Sequence, residues 1–249
     1  MRKPLYFISD VHFYLKFSNS EDEKINRISA LFDEIIEKQG SLIMVGDFFD
    51  FWFGYKSVIP RHFFRILCKL KQLRDAGCLI HYIGGNHDYW LDGFWEEDLG
   101  VIVHRHPLEM VLDNKRFFIA HGDGIDEKDH GYHLLSSVLR NRFFIKCFSL
   151  IPPPLAYGFA RAISHTSRKF DNKDPQIIKR DHEIMKHFVN KKFTEGFDYV
   201  ILGHYHQPEE FHKDNHVFLN CGDWLGHYSY GVYDGELKLY FQDSDYLKK

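Results

Sequence analysis

The sequence predicts an α/β fold in which buried strands alternate with amphipathic helices, and three observations carry the prediction. Short apolar runs such as Leu42-Ile43-Met44-Val45 and Tyr199-Val200-Ile201-Leu202 stop abruptly at Gly46-Asp47 and Gly203-His204. Strands buried on both faces end this way where the chain leaves a sheet at its carboxyl edge, the edge at which open α/β sheets bind ligands. Segments with apolar residues at helical spacing lie between the runs. The run ends also recur almost periodically: Asp10, Asp47, Asn86 and His121 follow one another after 37, 39 and 35 residues. That is the length of a strand, helix and strand unit, and it would bring the chain back to the same sheet edge each time.

Taken in order, Leu5 to Ser9 reads as the first strand, ending in Asp10-Val11-His12. Glu23 to Gln39 carries Ile25, Ile28, Leu31, Phe32, Ile35 and Ile36 at helical spacing. Leu42 to Val45 is the second strand, and Arg61 to Gly77 a second helix with Gly77 as its C-cap. Cys78 to Ile83 is the third strand, running into Gly84-Gly85-Asn86-His87-Asp88. Val101 to His104 and Met110 to Leu112 are short strands, and Arg116 to Ala120 leads into His121-Gly122-Asp123. Tyr199 to Leu202 and Val217 to Asn220 return to sheet. Tyr228 to Tyr233 and Glu236 to Phe241 form a terminal hairpin around Asp234-Gly235.

Between His121 and His204 the separation widens to 83 residues, which marks an insertion at about 130–190 in an otherwise single domain spanning 1–249. From His130 to Phe170 it contains no Asp or Glu, while Arg140, Arg142, Lys146, Arg161, Arg168 and Lys169 are spread among apolar residues. Pro152-Pro153-Pro154 divides it into two helical halves. A cationic and apolar helical insertion suits a lid over an anionic, acylated substrate or an element lying on a membrane surface. A helical hairpin packed on the core with its arginines in solvent is the alternative.

Composition excludes several classes. A net charge of −3 and a pI near 6.6 argue against a nucleic-acid binder. Cys68, Cys78, Cys147 and Cys221 form no C-x-x-C pair, so neither a zinc knuckle nor a disulfide framework is signalled. Asp10 and His12 cut the first apolar run too short for a signal peptide, and no run reaches the ~18 apolar residues of a membrane span. A cytoplasmic protein is expected, with no obligate protein partner.

Five short motifs then fall at strand ends: Asp10-Val11-His12, Gly46-Asp47-Phe48-Phe49-Asp50, Gly85-Asn86-His87-Asp88, His121-Gly122-Asp123 and Gly203-His204-Tyr205-His206. In this order they resemble the calcineurin-like metallophosphoesterases over nearly the whole chain. The resemblance implies two packed mixed β-sheets flanked by helices, with the helical insertion as a lid. It also implies a dinuclear metal site: Asp10, His12, Asp47 and His206 on one cation, and Asp47, Asn86, His121 and His204 on the other. Carboxylate, amide and imidazole donors suit manganese, iron or zinc better than calcium, and manganese is the cation the resemblance points to. Alternation along an extended chain would put both members of Asp10-x-His12, and of His204-x-His206, on one side. Asp47 would bridge with one oxygen on each cation, and His87 is the candidate to stabilise charge on, or protonate, the leaving oxygen. Asp50, Asp88 and Asp123 would either orient ligating imidazoles or cap helices.

More narrowly, the chain resembles the UDP-2,3-diacylglucosamine hydrolases of lipid A synthesis. That resemblance implies a nucleotide-linked acylated sugar as substrate, with contacts from Asn86, His87, Asp129, Tyr132, Ser167, Asn172, Lys173 and His204. It also implies a peripheral position on the anionic cytoplasmic face of the inner membrane. A broader phosphodiesterase or sugar-nucleotide pyrophosphatase and a non-catalytic scaffold of the same fold are the alternatives. Well-known members of the narrower group carry Arg where this chain has His87. The aromatic run Phe48, Phe49, Phe51, Trp52 and Phe53 would line an acyl groove or pack in the core.

Overall fold

The computed structural model describes residues 1–158 and 175–242. Strands β1 (Leu5–Ile8), β2 (Ser41–Val45), β3 (Leu79–Ile83) and β4 (Ile102–His104) run parallel, and β10 (Ser229–Tyr233) and β11 (Leu237–Phe241) extend them antiparallel, in the order β11-β10-β1-β2-β3-β4. A second sheet has the order β5-β6-β7-β9-β8, built from Leu108–Leu112, Lys115–Ile119, Tyr199–Leu202, His216–Asn220 and Glu209–Lys213 respectively. Helices α1 (Asn19–Glu37) and α2 (Phe64–Asp75) lie between strands of the first sheet in sequence, with the short α3 (Gly93–Glu97) before β4.

Alternation along the strands builds the layers. Leu5, Phe7, Ile43, Val45 and Ile83 face Phe117, Ile119, Ile201 and Leu219 between the two sheets. The intervening Tyr6, Ile8, Leu42 and Met44 pack on Ile28, Leu31, Ile35 and Leu70 of α1 and α2. Phe118, Val200 and Phe218, on the outer face of the second sheet, cover Met185, Val189 and Phe193 of α6 (Pro175–Thr194). Each such side chain contributes about 1.5–3 kcal/mol by leaving water, so two sandwiched sheets give the strand ends a rigid base.

Several expectations change. His121 and His204 follow β6 and β7, which belong to the second sheet, so the near-constant spacing does not return the chain to one sheet edge. The two sheets meet instead, and their carboxyl ends converge across the sandwich. Helix α1 begins at Asn19 because Ser18 caps it, its hydroxyl accepting from the Glu21 N–H, ahead of the apolar stripe that marked it in the sequence. Strand β8 went unforeseen: Glu209, Glu210 and Lys213 sit on a sheet edge, where charge blunts further pairing and hides the apolar signal. Phe48, Phe49, Trp52 and Phe53 are buried and pack among Phe13, Phe63, Trp90 and Trp95, which makes them core instead of groove.

The insertion between β6 and β7 contains α4 (His130–Leu139), α5 (Arg142–Phe148) and α6. Neither α4 nor α5 buries a residue, and Leu134, Phe143 and Leu150 are 69%, 69% and 79% exposed. Polar contacts fasten it: Tyr55 Oη donates to the Ile151 carbonyl (2.9 Å) and Trp90 Nε1 to that of Leu139 (2.8 Å). The Phe148 ring sits among Phe51, Phe53 and Trp90. Among the described residues no helix is long and apolar enough to cross a membrane.

Candidate metal centre

The five motifs meet at the carboxyl edges of both sheets. Three of them are not extended there: Asp10, His12, Asp47, His204 and His206 have φ of 53°, 48°, 51°, 71° and 55°. The expected alternation therefore does not apply, and left-handed turns, not strand pleat, aim each pair of side chains. Such turns are uncommon for residues other than glycine, and here backbone hydrogen bonds hold them. Asp10 N–H donates to the Gly46 carbonyl, His12 N–H to that of Asp47 and Phe13 N–H to that of Phe48. His204 N–H donates to Asp10 Oδ2 at 2.8 Å, tying the second sheet to the first. Gly46 (φ 83°) and Gly85 permit close approach, since a Cβ would meet the His121 ring at the first and the Asp47 carboxylate at the second.

Three overlapping groups of donors result: Asp10, His12 and His206; His12, Asp47 and His87; and Asp47, His121 and His204, the donor atoms in each lying within 4.8 Å of one another. His12 Nε2 faces His206 Nε2 at 3.3 Å, and Asp10 Oδ1 lies 3.2 Å from the latter and 3.6 Å from the former. Asn86 Oδ1 joins the third group, 3.3 Å from His121 Nε2. Asp47 Oδ2 stands between, 3.7 Å from His12 Nε2 and 3.3 Å from His121 Nε2. Its other oxygen, Oδ1, accepts the His87 N–H at 2.9 Å. One oxygen of Asp47 thus faces both sides, in place of one oxygen for each.

The electrostatics suit cations. Burial alone would raise the Asp10 carboxyl, but the neighbouring His206 charge and the nearby His12 and His206 rings hold it well below the usual range. Burial likewise opposes ionisation of Asp47, and His121 and His87 outweigh it, so its pKa is lowered. His121 would be lowered by burial, yet Asp47 and Asp10 raise it well above an ordinary imidazole. Burial and the His121 charge push His204 down to about 4. Carboxylates that stabilise an imidazolium in this way would equally stabilise a divalent cation, whose binding releases the proton. Two observations fit a metal: Asp10 Oδ1 is buried and accepts no hydrogen bond, and His121 Nδ1–H donates to the Val45 carbonyl (2.9 Å), which leaves Nε2 free to ligate.

The surrounding residues divide. His87, 22% exposed at the rim, donates through Nδ1–H to the Asp50 carbonyl at 2.9 Å and holds Nε2 4.0 Å from Asp47 Oδ2. Burial is the largest single influence and lowers its pKa, but the Asp47 charge, the hydrogen bond to the Asp50 carbonyl and the Asp50 and Asp88 charges together raise it more, for a net rise. Asp50 Oδ1 is 4.0 Å from His12 Nδ1. Asp88 neither orients an imidazole nor caps a helix: it accepts the N–H groups of Asp47, Phe48, Phe49 and Gly85 and the hydroxyl of Tyr82. Asp123 accepts from Tyr132 Oη and Arg140 Nη2, so it links the His121 turn to α4. Asp129 caps α4, accepting the Tyr132 N–H at 2.8 Å, and does not reach the donor groups. Ser167, Asn172 and Lys173 lie outside the described residues. Sequence reasoning missed Tyr82 and Arg140. The only signals were a hydroxyl on a mostly apolar strand that also carries His81, and a base in an acid-free stretch.

A family model described as calcineurin-like phosphoesterase matches residues 3–208. A UDP-2,3-diacylglucosamine hydrolase of Porphyromonas gingivalis is 30% identical over 94% of this chain and 95% of its own length. Proteins of the same name from Proteus mirabilis and Neisseria meningitidis are 27% and 24% identical, over 81% and 91% of this chain and 81% and 92% of their own lengths.

Proposed function

The chain belongs to the calcineurin-like phosphoesterase family, and on that premise we propose that it hydrolyses the pyrophosphate bond of UDP-2,3-diacylglucosamine. The observation that carries this reading is end-to-end similarity, insertion included, to a relative of that name. The oxygen of water would add to the uridine-side phosphorus and the P–O–P bridge would break, giving UMP and 2,3-diacylglucosamine 1-phosphate.

Asp10, His12, Asp47 and His206 would hold one divalent cation and Asp47, Asn86, His121 and His204 a second; the mixed donors suit manganese, iron or zinc, and manganese is the one the family resemblance points to. Such a pair supplies an activated water nucleophile and neutralises phosphoryl oxygens. The protein's own part is positional. Asp47 Oδ2 faces both donor groups while Oδ1 is fixed by the His87 amide. The Asp50 carbonyl orients His87 with Nε2 toward Asp47, and its raised pKa lets it carry a proton near neutral pH to the leaving phosphate oxygen. Residues 130–190 act as the lid over the lipid end of the substrate within a single domain. The exposed Leu134, Leu135, Phe143 and Phe144, with Arg142 and Lys146 nearby, support contact with acyl chains and an anionic membrane surface. Asp129, Tyr132, Ser167, Asn172 and Lys173 are proposed substrate contacts; the Tyr132 hydroxyl, whose proton goes to Asp123, would serve as an acceptor.

Turnover of UDP-2,3-diacylglucosamine, UDP-glucose and a chromogenic phosphodiester by purified protein tests the reading, with Asp47→Ala as control. Selective, Asp47-dependent cleavage of the acylated compound is expected. Equal turnover of UDP-glucose would leave a general sugar-nucleotide pyrophosphatase in its place.

A further inference from the structure

We infer that Lys24 is a positioning residue of the metal centre, its buried ammonium holding the turn that presents Asp10 and His12. The inference rests on reading that turn as metal-binding. Lys24 lies on α1 and is 5% exposed. Its Nζ donates to the carbonyls of Val11 at 3.0 Å and His12 at 2.9 Å, and Glu21 Oε1 stands 3.2 Å away. An ammonium offers three donors and no acceptor, and three oxygens surround this one.

Those contacts complete the fastening of the turn. The N–H groups of Asp10, His12 and Phe13 are engaged by the carbonyls of residues 46–48, on the side of Asp47. The carbonyls of Val11 and His12 face α1, where Lys24 is the donor that reaches both. Glu21 Oε2 accepts the Tyr14 N–H at 3.0 Å, so the same ion pair also secures the chain just beyond the turn. The Phe13 and Tyr14 rings lie 5.4 Å and 4.6 Å from the ammonium and wall it in. Asp10 and His12 both hold left-handed backbone, a conformation costing on the order of 1–3 kcal/mol per residue that persists only where its surroundings enforce it. Without the cation, two buried carbonyls lose their donor and the turn can relax toward ordinary backbone, carrying the His12 ring away from His206 and Asp47.

A structural role alone, neutralising Glu21, is separable from this one. Metal-free wild type, Lys24→Met and Glu21→Gln/Lys24→Met are titrated with Mn2+ by calorimetry and melted in chelator, with His206→Ala marking the binding step that belongs to the Asp10, His12 and His206 group. Lys24→Met is expected to lose about 10–100-fold in affinity at that step, the usual effect of removing a group that orients a ligand, while the other step is retained. The double variant, which no longer buries an uncompensated carboxylate, is expected to regain melting temperature but not the lost affinity, and it carries the test should Lys24→Met fail to fold. Wild-type affinity at both steps in either variant would overturn the inference while the metal reading stands. Failure of the wild type to take up Mn2+ would remove both.

Discussion

Asp88→Ala deletes the acceptor on which the loop carrying Asp47 hangs. The carboxylate is fully buried and receives the N–H groups of Asp47 (3.1 Å), Phe48 (2.7 Å), Phe49 (3.2 Å) and Gly85 (2.8 Å), together with the Tyr82 hydroxyl. Hydrogen bonds to a charged group contribute about 1.5–3 kcal/mol each, so four amides represent roughly 6–12 kcal/mol. Against this stands the several kcal/mol required to bury the charge itself. The net loss on substitution should be about 4 kcal/mol, a large share of the ~5–15 kcal/mol that holds a native protein together. For a chain of this size that corresponds to a fall in Tm of about 8–16 °C. Urea denaturation and thermal melts in chelator measure it without contributions from bound cations. Asp88→Asn keeps the shape and one acceptor oxygen and should lose less. A loss under about 1 kcal/mol for Asp88→Ala would refute the reasoning, because four buried N–H groups cannot lose their acceptor so cheaply.

Three further outcomes follow from the same structure. Protonated His87 is the active form in the proposed reaction, so activity should fall as pH rises through its raised pKa; His87→Arg should lose that alkaline limb, and superimposable pH profiles would remove His87 as proton carrier. Burial and the adjoining His104, 2.8 Å away, push the His81 pKa down to about 4. The unfolded chain then binds the proton first, so stability should decline as pH falls from about 6.5 to 4, by about 2–3 kcal/mol in total. The slope of denaturation midpoints across that window should lessen in His81→Gln, the remainder belonging to His204, whose pKa is also pushed down to about 4, and an unchanged slope would assign it elsewhere. Gly85→Ala drives a Cβ into the Asp47 carboxylate and should abolish turnover and Mn2+ uptake while the protein still folds; retained activity would show that the Asp47 loop gives way.

The chain by itself determined the ingredients. Apolar runs that stop at Asp47, Asn86 and His204 mark strand ends, because a strand buried on both faces cannot place a charge earlier. The order of the five motifs named the family that the match over residues 3–208 bears out. Tertiary structure decided how those ingredients meet. Which sheet owns His121 depends on the β6 to β7 pairing, and a 35-residue spacing reads the same whether the chain returns to its own sheet or crosses to the facing one. The aim of Asp10, His12, His204 and His206 rests on left-handed turns, which side-chain periodicity does not encode because it assumes the dihedrals of regular structure. Asp88 was legible as a motif carboxylate but with the wrong partners, and Lys24 only as a charge. Most of their partners are main-chain N–H and carbonyl groups up to 41 residues away, alike along the sequence and distinguished solely by folding.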